Sequence, residues 1–186
     1  MRIALAFIFA ALFALPAGAT EVAWAKLAEG GHTILLRHAI APGTGDPANF
    51  KLDDCATQRN LSDQGRQQAQ RIGARLAARA IKIDAVLTSE WCRAMDTAKL
   101  VFPRLKITTE PALNSFFADT SSKDEQTAAT LKLIGAFQGP GNQVMVTHQV
   151  NILAITGVSP REGEAIIVDA NPDGSNIRII GRQLFD

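Results

Sequence analysis

The sequence predicts an α/β fold: a three-layer α/β/α sandwich around a mostly parallel central sheet, closed by a C-terminal hairpin. Short runs rich in Ile, Leu and Val alternate with stretches of helical periodicity. The early runs are apolar on both faces, as strands of a sheet covered on both sides must be. The last two runs flank the turn-rich Asn171-Pro172-Asp173-Gly174-Ser175, which reads as a hairpin connection.

The expected strands are, in order, His32–Leu36, Ile83–Thr88, a weak Lys106–Thr109, Gln143–Thr147, Ala165–Asp169 and Asn176–Ile180. The clearest helix opens at Ser62, a plausible N-cap, and places Ala69, Ile72, Leu76 and Ala80 on one apolar face. Further helices are expected at about Glu90–Val101, Lys123–Phe137 and Val150–Thr156. Between Ala39 and Asn60 lies a connection of about 22 residues without periodicity, and connections that long in a compact domain tend to be functional or disordered. Pro111–Ser122 is a shorter irregular segment, in which Phe116-Phe117 reads as a partly buried anchor.

The chain has 186 residues, 47% of them apolar, enough for one good-sized core. Its formal net charge of +1 gives no reason to expect a nucleic-acid or membrane surface driven by bulk electrostatics, so any cationic chemistry must be local. Residues 1–19 combine Arg2, an apolar run from Ile3 to Leu15, Pro16 and the small residues Ala17-Gly18-Ala19, the pattern of a cleavable secretory signal. That run is well short of the ~20 apolar residues a bilayer-spanning helix needs. Export to the periplasm or beyond is therefore expected, with residues 20–186 as a single domain and no stable membrane insertion after cleavage. The two cysteines, Cys55 and Cys92, are then candidates for a disulfide, with two buried free thiols as the alternative.

Three expected strands end in unusual residues. The first ends in Arg37-His38, the second in Thr88-Ser89 with Arg93 one turn into the next helix, and the fourth in Thr147-His148. Ligands of open α/β sheets bind at the strand C-termini, where helix N-termini add N–H donors and partial positive charge. Two arginines and two histidines converging there form an anion site, because guanidinium forks match phosphate oxygens and repel a metal dication. Zinc is the rival for two histidines, but no third ligand stands at metal-like spacing. Taken singly, each histidine could be no more than a hydrogen-bonded residue at a strand end.

The motifs LLRHA, LSDQGRQQAQRIGARL, LTSEWCRAMDTA and VMVTHQ, in that order, resemble the histidine phosphatase superfamily, also called phosphoglycerate mutase-like. The leader, the small size and THQVNILAITG look most like exported bacterial members related to lipopolysaccharide core heptose phosphate phosphatases. The resemblance implies that His38 is a nucleophile forming a phosphohistidine, that Arg37 and Arg93 hold phosphoryl oxygens, and that a protonated His148 assists, without metal or cofactor. It departs at Ala39, where the family usually has glycine. It departs again at Leu113-Asn114-Ser115, where the family often places a glutamate that protonates the leaving oxygen. Asp119 is the nearest substitute, with Asp124 and Glu125 behind it, though a solvated loop carboxylate is the plain reading of all three.

Arg59, at the end of the long loop, is a candidate third phosphate or substrate contact, and Gln149 a candidate donor to a phosphate oxygen. A Cys55–Cys92 bridge would tether that loop beside the pocket. The short stretch between Arg93 and His148 leaves little for a capping subdomain, so an open pocket is expected. The expected function is hydrolysis of phosphate monoesters on a small molecule or a phosphorylated glycan. The alternative is a non-catalytic phosphate-binding envelope protein that lacks the general acid.

Overall fold

The computed structural model describes residues 17–171 and 176–185. Most of the expected leader and the hairpin turn at 172–175 lie outside the described residues. Strands β1 (Thr33–Arg37), β2 (Ile83–Thr88), β3 (Ile107–Thr109), β4 (Asn142–Thr147), β5 (Ala165–Ala170) and β6 (Ile177–Gln183) form one sheet in the order β3-β2-β4-β1-β5-β6. The pairs β2–β3, β2–β4 and β1–β4 are parallel; β1–β5 and β5–β6 are antiparallel. The parallel majority and the terminal hairpin are those the sequence predicts.

Helices α1 (Ala17–Glu29), α2 (Asp63–Ala78), α3 (Cys92–Val101), α4 (Lys123–Ala136) and α5 (Gln149–Thr156) cover the sheet. Strand residues alternate between two cores because successive side chains point to opposite faces. Ile34, Leu36, Val144 and Val146 pack with Leu27 of α1, Ile72 and Leu76 of α2, and Ala94 and Ala98 of α3. On the other face, Leu35, Met145, Ile166 and Val168 pack with Ile134 of α4 and Ile152 and Ile155 of α5.

One element is not expected from the sequence, and one expectation needs correction. α1 lies along β6 and buries Trp24 edge-on against Phe185, ring centroids 5.7 Å apart. The expected α2 pattern ends early. Ala80 leaves the helix at φ 51° and is exposed, so the buried stripe is Gly65, Ala69, Ile72 and Leu76. The Ser62 cap is present, its hydroxyl accepting from the Gly65 N–H at 3.1 Å.

Gly65 matters to the site. A Cβ there would lie 2.0 Å from the carbonyl oxygen of Ile40, so only glycine lets the start of α2 close on the chain leaving β1. The Ser62 N–H donates to that same carbonyl at 3.1 Å. The turn that carries His38 is thereby clamped between α2 and β4.

Among the described residues no helix is long and apolar enough to cross a membrane.

Candidate active site

β1, β4 and β2 are adjacent and parallel, so their C-terminal ends meet at one sheet edge. The ladder continues one residue further at two of them: the His38 N–H donates to Thr147 O and the Ser89 N–H to Val146 O, each at 3.0 Å. His38 and Ser89 are thus fixed by backbone pairing, and His148, directly after β4, by its carbonyl's bond from the Ile152 N–H of α5. α3 and α5 start within a few residues of this edge and bring their N-termini to it.

The His38 side chain is 1% exposed and lines a cavity of about 580 Å³. Its Nδ1 lies 2.9 Å from the carbonyl oxygen of Ala39, which can only accept, so Nδ1 carries the proton. Nε2 therefore holds the lone pair, with no protein partner, on the cavity side of the ring. Burial pushes the His38 pKa down to about 3, and Arg93, Arg37 and Arg59 add to the effect, while the Ala39 carbonyl opposes it. The imidazole is neutral at pH 7, as a nucleophile must be.

His148 caps α5, its ring 5.4 Å from that of His38. Its Nε2 is 2.8 Å from Ser89 Oγ, and its Nδ1 is buried without a partner. Burial first, then His38 and the three arginines, hold its pKa well below the usual histidine value. Without ligand His148 is therefore held neutral, so the protonated form implied by the resemblance requires a bound anion. A bound phosphoryl dianion supplies the opposite charge that would draw a proton to it.

Three guanidiniums surround the pair. Arg37 donates through Nη1 to Pro160 O at 2.9 Å, with Nη2 3.7 Å from Glu162. Arg59 donates through Nε to Gly45 O at 2.8 Å and through Nη1 to Ala41 O. Arg93 gives Nη1 and Nη2 to the two oxygens of Asp46, at 2.8 and 3.2 Å. Burial lowers the pKa of both Arg37 and Arg93, with Glu162 and Asp46 pulling each back up.

Asp46 spends one edge of the Arg93 fork and leaves Nε, buried and unpartnered, on the other. Arg37 Nε is likewise buried without a partner. Together with His148 Nδ1, three orphaned nitrogens belong to residues lining one cavity. Buried polar groups are normally satisfied, so their concentration here marks a place for an anionic group of several oxygens.

Of the residues the sequence reading singles out, Arg37, His38, Arg59, Arg93, His148 and Gln149 all line this cavity. Gln149 points its amide to Ser159 Oγ at 2.8 Å. Asp119 is not brought in: it is exposed, its carboxylate accepts from the Ser121 N–H at 2.9 Å, and those hydrogen bonds lower its pKa. Asp124 and Glu125 are exposed on the first turn of α4. Ser115 does line the cavity, where the resemblance calls for a glutamate. Cys55 and Cys92 are bridged, Cα atoms 5.7 Å apart, and tie the long loop to the start of α3 one residue before Arg93.

Sequence reasoning missed Asp46. Its carboxylate also accepts from Trp91 Nε1 at 3.0 Å and from the Arg59 N–H at 3.0 Å, and the Arg93 contact helps hold its pKa below the ordinary range against burial. Its only sequence signal is Gly43-Thr44-Gly45-Asp46-Pro47 inside the aperiodic loop, with Gly43 at φ 96° and Gly45 at φ 69°. Asn114 was missed too; its Oδ1 receives Ser89 Oγ at 3.2 Å and the Glu90 N–H at 2.9 Å, fixing the serine that holds His148. Among the described residues no three His, Cys, Asp or Glu side chains cluster as metal ligands.

The sheet edge thus presents two buried imidazoles inside a ring of guanidiniums, an arrangement whose donors match the oxygens of a phosphoryl group. A family model described as histidine phosphatase superfamily (branch 1) matches residues 33–129, over half of the chain. The chain belongs to the histidine phosphatase superfamily. It is 32% identical over 97 residues to the mitochondrial serine/threonine-protein phosphatase Pgam5 of Drosophila yakuba, a match covering 52% of this chain and 31% of that relative. The protein histidine phosphatase SixA, solved with tungstate, superposes with a TM-score of 0.59 at 17% identity, covering 83% of this chain and 97% of SixA. A phosphoserine phosphatase from Entamoeba histolytica, solved with 3-phosphoglyceric acid, gives a TM-score of 0.60 at 13% identity, covering 82% and 96%.

In the Arg93–Asp46 pair the guanidinium is buried and the carboxylate partly so, and removing one partner leaves the other's charge unpaired. Arg93→Ala should weaken orthophosphate binding by about 100-fold, by losing a donor and by leaving Asp46 to repel the anion. Adding Asp46→Ala to that variant should recover binding severalfold, as read by calorimetry.

Acid should destabilise the protein from near neutrality. His38 and His148 bind protons near pH 6.5 when unfolded but resist them when folded, so their contribution is complete above that pH and is lost as pH falls toward 3. The depressed carboxyl of Asp46 adds to the loss in the acid range below its ordinary value. The urea midpoint should fall steadily from pH 7 to pH 5, and His38→Asn should flatten that decline.

Proposed function

We propose that this chain is an exported phosphatase that hydrolyses phosphate monoesters through a phosphohistidine at His38. The observation that carries the reading is the neutral His38, its proton held on Nδ1 by Ala39, inside a ring of three guanidiniums. His38 Nε2 would attack phosphorus as the bond to the ester oxygen breaks, and water would then attack the phosphohistidine to release orthophosphate and free the imidazole. Arg37, Arg59 and Arg93 meet the charge on the transferring oxygens, positioned in advance by Glu162, Gly45 and Asp46. Similarity to proteins named as phosphatases supports this class of reaction.

Substrates proposed are sugar phosphates, among them phosphorylated glycans and lipopolysaccharide sugars. The support is an open cavity, larger than a phosphoryl group needs, together with the secretory pattern at residues 1–19. Export is supported further by the Cys55–Cys92 bridge, since disulfides persist in oxidising compartments.

One observation favours a second reading. Asp46 is the sole carboxylate among the residues lining the cavity, and four donors hold it ionised. A site without a protonated carboxyl cannot assist an alkoxide leaving group in the usual way. The protein would then bind phosphate esters without turning them over.

The two readings separate in one assay. Phosphate release from an aryl phosphate and a panel of sugar phosphates is measured for the mature protein and for His38→Ala, with chelator present. Release that survives chelation and falls by at least 10²-fold in the variant is expected. Equal, negligible release from both proteins would favour the binding protein.

A further inference from the structure

Beyond the guanidinium ring the cavity changes character. Its outer wall is built from Pro47, Ala48, Phe50, Trp91, Phe117 and Ala118, with polar atoms only from the uncharged Thr44, Ser115 and Gln149. Phe50 and Trp91 stack on each other, centroids 5.1 Å apart at 18°, and the indole is pinned by its N–H to Asp46. Phe117, on the loop before α4, lines the same cavity. Its neighbour Phe116 is buried and anchors that loop, whereas Phe117 is 52% exposed and packs no core. Its ring lies over the Gly45 turn, where even a Cβ would come within 3.7 Å of it. An aromatic face left open at the mouth of a charged pocket is a surface for ligand rather than for folding.

The charges point the same way. Arg37, Arg59 and Arg93 are opposed by Asp46 and Glu162, so the ring carries one unit of excess positive charge while both histidines are neutral. A phosphoryl group of charge about −2 at neutral pH consumes that excess and more. The lining residues offer no further cation to a second anionic group. A carboxylate or phosphate on the leaving group would meet an apolar wall, with no positive charge left over to receive it even once His148 has taken up a proton.

We infer that the outer cavity is a leaving-group subsite selecting phosphate esters whose alcohol is uncharged and presents a flat apolar face, with Phe117 as the stacking surface. The inference rests on the phosphatase reading for the placement of the phosphoryl group, and it narrows the substrates. A hexose ring or an aryl group meets the requirement; a hydroxy acid or an amino-acid zwitterion does not. The volume of about 580 Å³ leaves room beside the phosphoryl group for one such ring, within the ~300–1,000 Å³ usual for small-ligand sites.

The test uses phosphonates, which cannot be hydrolysed, so that binding is read whether or not the protein turns over esters. The mature protein and Phe117→Ala are titrated calorimetrically with orthophosphate, ethylphosphonate, benzylphosphonate and 4-carboxybenzylphosphonate. Benzylphosphonate should bind about tenfold more tightly than ethylphosphonate, the gain expected of one aromatic contact, and that ratio should collapse toward one in Phe117→Ala. The carboxyl group should cost at least tenfold relative to benzyl. Equal affinity for the three phosphonates, or a ratio untouched by Phe117→Ala, would overturn the subsite while leaving the phosphatase reading in place. Failure to bind any of them, orthophosphate included, would overturn both.

Discussion

Three guanidiniums and two imidazoles held at one buried sheet edge repel one another, and much of the local architecture answers that repulsion. The imidazoles answer it by staying neutral. The guanidiniums are answered by counter-charges brought from elsewhere in the chain: Asp46 from the long loop takes the outer edge of Arg93, and Glu162 from the turn before β5 stands near both Arg37 and Arg59. Carbonyls of Ala41, Gly45 and Pro160 absorb further donors. Enough is neutralised to let the edge fold, and enough nitrogen is left unpartnered to receive a phosphoryl group.

This arrangement explains why so irregular a loop is held so firmly. Asp46 alone joins the loop to Arg93, Trp91 and the Arg59 backbone, and the Gln58 side chain accepts from the Cys92 N–H at 2.9 Å. The Cys55–Cys92 bridge closes a separation of 37 residues, which in the chain-entropy model removes about 4 kcal/mol of freedom from the unfolded chain. With so little freedom the loop can present Asp46 and Arg59 without helix or strand to carry them. Preorganised donors cost no rearrangement when charge arrives, which is the advantage of electrostatic catalysis in a site shielded from water.

What could be read from the sequence followed from local rules. Short runs rich in Ile, Leu and Val mark all six strands and a 3.6-residue period marks four of the five helices, and strand ends in a parallel sheet must share an edge, so the sequence alone brings Arg37, His38, Arg93 and His148 together. Most misses are long-range. Nothing near Asp46 in sequence says that its partner is Arg93, 47 residues away. Asp119 is the local exception, its carboxylate spent on the Ser121 N–H two residues on, a short-range capping bond that the sequence reading misses. The neutrality of His148 follows from burial and from neighbours contributed by three separate segments. α1 escaped because its start overlaps the secretory pattern, and its packing is against the far end of the chain at β6.

The account stands on His38 Nε2 being the atom that accepts the phosphoryl group. The most direct measurement is to mix the mature protein with an aryl phosphate, quench in alkali, where phosphohistidine survives, and map the phosphoryl group by peptide mass spectrometry. The account requires a phosphorylated peptide with the modification on His38, present within one turnover and absent from His38→Ala. Phosphoryl found on His148, or steady release of phosphate with no trapped adduct on any histidine, would contradict it.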